Sequence, residues 1–68
     1  PEATWIGVLG EDIYYHRPGK LIFTDLYTGD SYDVSVSSSA EFVLATDERI
    51  FEIENLKLRI SAFKPKQQ

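Results

Sequence analysis

The sequence contains no cysteine, no methionine and a single histidine, His16. Without cysteine there is no disulfide framework, no thiolate metal site and no sulfur nucleophile. One imidazole cannot build a histidine-based metal cluster, and no serine carries the nucleophile-elbow pattern of a Ser-His-acid centre. The glycines stand apart, at Gly7, Gly10, Gly19 and Gly29, so no glycine-rich loop cradles a phosphate. No apolar run approaches the ~20 residues of a membrane-spanning helix. The N-terminus lacks the basic and apolar regions of a secretory signal. The absence of thiols suits a reducing compartment such as the cytosol without demanding one. Length sets a further limit. A 68-residue chain makes one domain, buries only about 60% of the surface its unfolded form exposes, and has packing alone to stabilise it. An active-site cleft of about 300 Å³ would consume that interior. We therefore expect a non-catalytic protein with no cofactor and no metal.

What is present is strand-forming material. The chain is 43% apolar and 13% aromatic, too rich for disorder. Turn residues interrupt it roughly every six to ten positions. Strands are expected at Thr4–Leu9, Ile13–His16, Lys20–Tyr27, Ser31–Val36, Phe42–Thr46 and Ile50–Glu54, with a last alternating segment from Leu56 to Phe63. Pro18-Gly19 reads as a turn, because proline fixes φ and glycine tolerates positive φ. His16, just before it, reads as an exposed strand end. Thr28-Gly29-Asp30 closes the clearest hairpin. Tyr32, Val34 and Val36 then share one face, and Ser31, Asp33 and Ser35 the other. Phe51 and Ile53 are expected to point inward, with Ile50, Glu52 and Glu54 outward. Asn55 marks a bend or bulge, and a short helical turn fits Ser38–Glu41. From Leu56 the apolar positions follow period two, which opposes a helix. The predicted fold is all-β: a small bent antiparallel sheet closing into a barrel of roughly five to seven short strands, which hides the edges that invite aggregation. It would span residues 1–63, with 64–68 as a polar basic tail.

Two segments resemble known families. Lys20–Gly29, reading KLIFTDLYTG, looks like the strand-turn of a β-propeller blade, with Phe42–Ile53 as the next hairpin. The chain is under two blades long, where a propeller has at least about four. Ile22–Val34 is similar to the strand-Asp-aromatic-Gly turn of Tudor domains, with two extra positions before Gly29. Tudor domains are small barrels that read methylated tails with aromatic cages. Size and strand number also resemble SH3-like barrels, although the acidic-aromatic motif of true SH3 domains is absent. These resemblances imply a barrel of SH3-like or Tudor-like scale.

Charge is unevenly distributed. From Asp25 to Glu54 eight acids face one base, Arg49, a local charge of −7, whereas Lys57, Arg59, Lys64 and Lys66 give the end of the chain +4. Such segregation steers oppositely charged partners; it equally describes acidic and basic strands pairing across a sheet. Asp25, Asp30 and Asp33 cluster at the hairpin, but their spacing matches no calcium loop and suits ordinary turn capping. Tyr14 and Tyr15 are adjacent and so face opposite sides of a strand, which places at least one at a rim. The expected function is a protein-interaction module or accessory subunit. Its site would be Tyr14, Tyr15, Asp25, Tyr27, Asp30 and Asp33, recognising a basic or extended protein partner, with edge-strand addition as one mode. A second reading is a nucleic-acid-binding barrel using Lys57, Arg59, Lys64 and Lys66; the acidic setting of the aromatics opposes it. A third is a structural subunit assembling through edge strands into a dimer or ring.

Overall fold

The computed structural model describes residues 6–65. Trp5 and Lys66, and the start of the first expected strand, lie outside the described residues. Seven strands follow in order: β1 (Ile6–Leu9), β2 (Asp12–Arg17), β3 (Lys20–Asp25), β4 (Ser31–Ser35), β5 (Phe42–Ala45), β6 (Arg49–Glu54) and β7 (Lys57–Ala62). The described residues contain no helix, so the expected turn of helix at Ser38–Glu41 is a non-helical turn. No helix among them is long and apolar enough to cross a membrane.

Turn chemistry sets the connections. Pro18-Gly19 joins the paired residues Arg17 and Lys20, with Gly19 at φ 82°, the arrangement a proline-glycine turn dictates. Asn55 and Leu56 join Glu54 to Lys57 with φ of 56° and 64°. Positive φ at both central residues is the type I′ hairpin turn, whose twist matches the flanking strands. The bend expected at Asn55 is thus a two-residue hairpin. Asparagine tolerates this conformation; leucine does not, and left-handed backbone costs an L-residue about 1–2 kcal/mol. Leu56 is also 95% exposed. Replacing Leu56 with glycine is therefore expected to raise stability by about 1 kcal/mol, read as a higher denaturation midpoint at unchanged m-value.

The strands form two antiparallel meanders, β1-β2-β3-β4 and β5-β6-β7. No hydrogen-bonded ladder joins them among the described residues, so the single closed barrel expected from the sequence is not found. Instead the sheets stack. Tyr14, Leu21 and Phe23 from the first meet Val43, Ala45 and Ile50 from the second, and these six are the buried apolar core. Phe23 lies at its centre, stacked on Tyr32 at 5.0 Å and on Phe63 at 5.3 Å between ring centroids. Full burial of such a side chain contributes about 1.5–3 kcal/mol. The Tyr14 hydroxyl reaches across and accepts the Ala45 backbone N–H at 3.2 Å, tying β2 to β5.

The inward face of β6 is the opposite of the one expected. Ile50 and Glu52 are buried, Phe51 is half-buried and Ile53 is exposed. The segment carries apolar residues on both faces, so alternation fixes which residues share a side but not which side meets the other sheet. His16 is corrected as well. It is buried on the inner face of β2 and is no exposed strand end.

Candidate functional site

The inversion of β6 creates the main surface feature. In antiparallel register Leu44, Phe51 and Ile60 lie in one row across β5, β6 and β7, and Phe42, Ile53 and Leu58 in the next. Residues directly opposite one another project from the same face. These two rows make a grid of six apolar side chains on the side of the sheet turned away from the core. Phe42 is 60% exposed and Leu58 59%, while Leu44, Ile60 and Ile53 are also exposed. Between them lies a shallow depression of about 460 Å³. The adjoining row is Arg49 with Ala62, so one charge stands at the end of an otherwise uncharged face. The described residues expose ten large hydrophobics against six apolar residues in the core. Single exposed apolar residues are ordinary; a contiguous array of this kind is not.

The tyrosines and acids singled out from the sequence do not form one surface, although Asp25, Tyr27 and Asp30 share one loop, in which the Asp25 backbone N–H donates to the Asp30 carbonyl at 2.8 Å. Tyr14 is fully buried and serves the core. It is corrected to a structural residue, because its inward phase on β2 places it under β5. Tyr15, on the opposite side of β2, is half-buried in a row with Ile6, Ile22 and Asp33. Asp25 is also buried and structural. Its Oδ1 accepts the backbone N–H of Tyr27 at 2.7 Å and of Thr28 at 2.9 Å, closing the loop between β3 and β4. Asp33 is exposed, with Lys20 Nζ at 3.9 Å, and Tyr27 and Asp30 are fully on the surface. No three of the described His, Asp and Glu residues converge as metal ligands.

The hydrogen bonds from Thr28 and Tyr27 hold the Asp25 carboxyl below its ordinary value, whereas burial and the facing Asp25 charge raise that of Asp12. Loss of Asp25 orphans two amides, yet its charge opposes Asp12, its partner across β2 and β3. Asp25→Ala is therefore expected to destabilise by about 2 kcal/mol, and Asp25→Asn, which keeps an acceptor oxygen and removes the repulsion, by less than about 1. Equilibrium denaturation of the two variants checks the ordering. Because the folded carboxyl ionises more readily than the unfolded one, the stabilisation by Asp25 is present above its ordinary value of 3.8 and fades as pH falls below it.

At the other end of the inner face lies a polar group that the sequence reading missed. Glu52 is 4% exposed. Its Oε1 accepts the Ser37 backbone N–H at 3.0 Å and Arg59 Nη2 at 3.1 Å. The Ser37 hydroxyl donates to Glu54 Oε1 at 2.7 Å. Arg59 is thereby paired with Glu52 while its side chain stays largely exposed, as are Lys57 and Lys64, the other members of the basic set among the described residues. Burial lowers the His16 imidazole, and the Glu52 charge partly offsets this. The unfolded chain then binds the proton more readily, so the stability linked to neutral His16 is complete above its ordinary 6.5 and is lost as pH falls through the range below. Denaturation midpoints are expected to decline on acidification from pH 8 to 5.5, and His16→Gln to flatten that decline. A glutamate alternating between Phe51 and Ile53 resembles any outward strand residue. Its only sequence signal is that Arg59 lies opposite once the Asn55 hairpin is recognised.

Fold and surface together define a small all-β domain of two stacked meanders, with the outer face of β5-β6-β7 apolar and uncovered among the described residues. No family model, no curated protein and no solved structure matches the chain.

Proposed function

We propose that the chain is a non-catalytic protein-interaction module whose contact surface is the outer face of β5-β6-β7. One observation carries this reading: in the apolar grid of Phe42, Leu44, Phe51, Ile53, Leu58 and Ile60, all but the half-buried Phe51 are exposed to water. Water released from such a face supplies most of the affinity of a typical interface core. The acidic hairpin has a lesser part. With Tyr14 and Asp25 inside the fold, its accessible remainder is Tyr27, Asp30 and Asp33, suited to steering a basic partner rather than holding it. An adaptor of SH3-like or Tudor-like kind would bind through that hairpin instead.

Affinity capture from a native extract separates the two surfaces, with bait carrying Leu44→Lys and Leu58→Lys compared against bait carrying Tyr27→Ala and Asp30→Lys. Loss of the captured protein with the first bait supports the apolar face. Loss with the second alone transfers the site to the hairpin. Retention by both overturns the reading.

A further inference from the structure

We propose that the occupant of this face is a second copy of the same chain, docked sheet to sheet about a two-fold axis. The inference rests on the reading just given and names its partner. Three features of the face support self-association. First, it is self-complementary. Rows of apolar residues present no donor, acceptor or charge to be satisfied by a different chemistry, and a second such face satisfies them fully. A nucleic acid or a basic peptide would instead set charges against six apolar side chains.

Second, the area is sufficient. With the fractional exposures found here, the face offers on the order of 500 Å² per copy. Two copies then bury about 1,000 Å², the lower bound for a specific interface. Sheets stacked at about 10 Å are a standard packing, with the twist of each sheet setting the angle between them.

Third, the single charge is placed to permit it. Arg49 lies in the end row with Ala62. A two-fold axis in the interface plane and perpendicular to the strands puts the two guanidinium groups at opposite ends, where neither meets the other or is enclosed. An axis along the strands would place them face to face. The geometry therefore selects an isologous dimer with strands running antiparallel across the interface.

Sedimentation equilibrium from about 1 to 500 µM tests this, on the whole chain, its Leu44→Lys and Leu58→Lys variants, and Tyr27→Ala as a control distant from the face. Both lysine sites are more than half exposed, so the variants should retain the circular dichroism of the parent. The parent is expected to be more than half dimer at about 100 µM. Each lysine should weaken the dimer by at least about 100-fold, because it buries an unpaired charge, and Tyr27→Ala should leave it unchanged. A parent that stays monomeric at 500 µM overturns the proposal, and so does a dimer that survives both lysine variants. Failure here is distinct from failure of the interaction reading. A monomeric parent whose capture of another protein is still abolished by the lysine variants keeps the apolar face and removes only the second copy. Capture unaffected by them removes both.

Discussion

Replacing Gly7 with alanine is expected to destabilise the domain by about 3 kcal/mol, a large share of what so small a core supplies. Gly7 on β1 pairs directly with Tyr14 on β2. A Cβ at position 7 would stand 2.3 Å from Tyr14 Cζ and 2.5 Å from its hydroxyl oxygen. The tip of the tyrosine ring occupies the space a side chain at position 7 would take, as in the cross-strand pairing of an aromatic residue with an edge-strand glycine. Ordinarily a side-chain tip swings aside at little cost. Here it is confined: Tyr14 is 1% exposed, packs on Phe23 at 5.3 Å between centroids, and holds the Ala45 amide through its hydroxyl. Moving the ring disturbs the core and orphans that amide together. Denaturant titration measures the loss. Tyr14→Leu, which costs stability in the parent, should cost distinctly less in the Gly7→Ala background, and the coupling energy of the double-mutant cycle identifies the clash. Additive effects would contradict the arrangement.

Glu52→Ala should cost about 3 kcal/mol as well. A buried carboxylate with two donors is costly to remove, because the donors remain. Ser37 loses the acceptor for its backbone N–H, and Arg59 loses the group that draws it over the inner face. Arg59 is largely exposed and recovers water, which places the loss at the lower end of the range for a broken buried pair. Glu52→Gln separates charge from hydrogen bonding. It keeps an oxygen for Ser37 and should cost only about 1 kcal/mol. It also removes the negative charge that raises the His16 imidazole, so the His16 midpoint followed by NMR should fall further below 6.5. An unchanged or higher midpoint would show that Glu52 does not act on His16. The same variant should also make stability decline more steeply between pH 6.5 and the new midpoint, since linkage follows the gap between folded and unfolded values.

The two large effects differ in how visible they are beforehand. Gly7 reads as an ordinary strand glycine until the register sets it against Tyr14. Glu52 looks like a surface residue because it sits between Phe51 and Ile53, and its burial follows from which face of β6 meets β2 and β3. The hairpin acids illustrate the reverse. Asp25, Asp30 and Asp33 are close in sequence, which by itself suggests one surface. Yet Asp25 ends β3 with an inward phase, caps its own loop and leaves the other two outside. A spacing of a few residues fixes proximity along the chain but not the side of the sheet.

The elements and their joints are legible from the residues alone. Period-two alternation, β-branched and aromatic residues, and turn signals at Gly10, Pro18-Gly19, Gly29 and Asn55 suffice, because strands and tight turns are governed by local backbone sterics and side-chain parity. The composition also settles what chemistry is missing, since no fold supplies a thiol or a second imidazole to a chain that lacks them. Long-range packing sets the rest: the strands divide into two stacked sheets instead of closing into one barrel, and one particular face of β6 and β7 turns inward. Both faces of that sheet carry apolar residues, so hydrophobic patterning is satisfied either way. The choice fell to what the other sheet offered, Tyr14, Leu21 and Phe23 to cover Val43, Ala45 and Ile50, while Arg59 on the neighbouring strand and Ser37 in the link before β5 compensate Glu52. Phe42, Leu44, Phe51, Ile53, Leu58 and Ile60 were thereby left facing water, and with them the surface on which the proposed function rests.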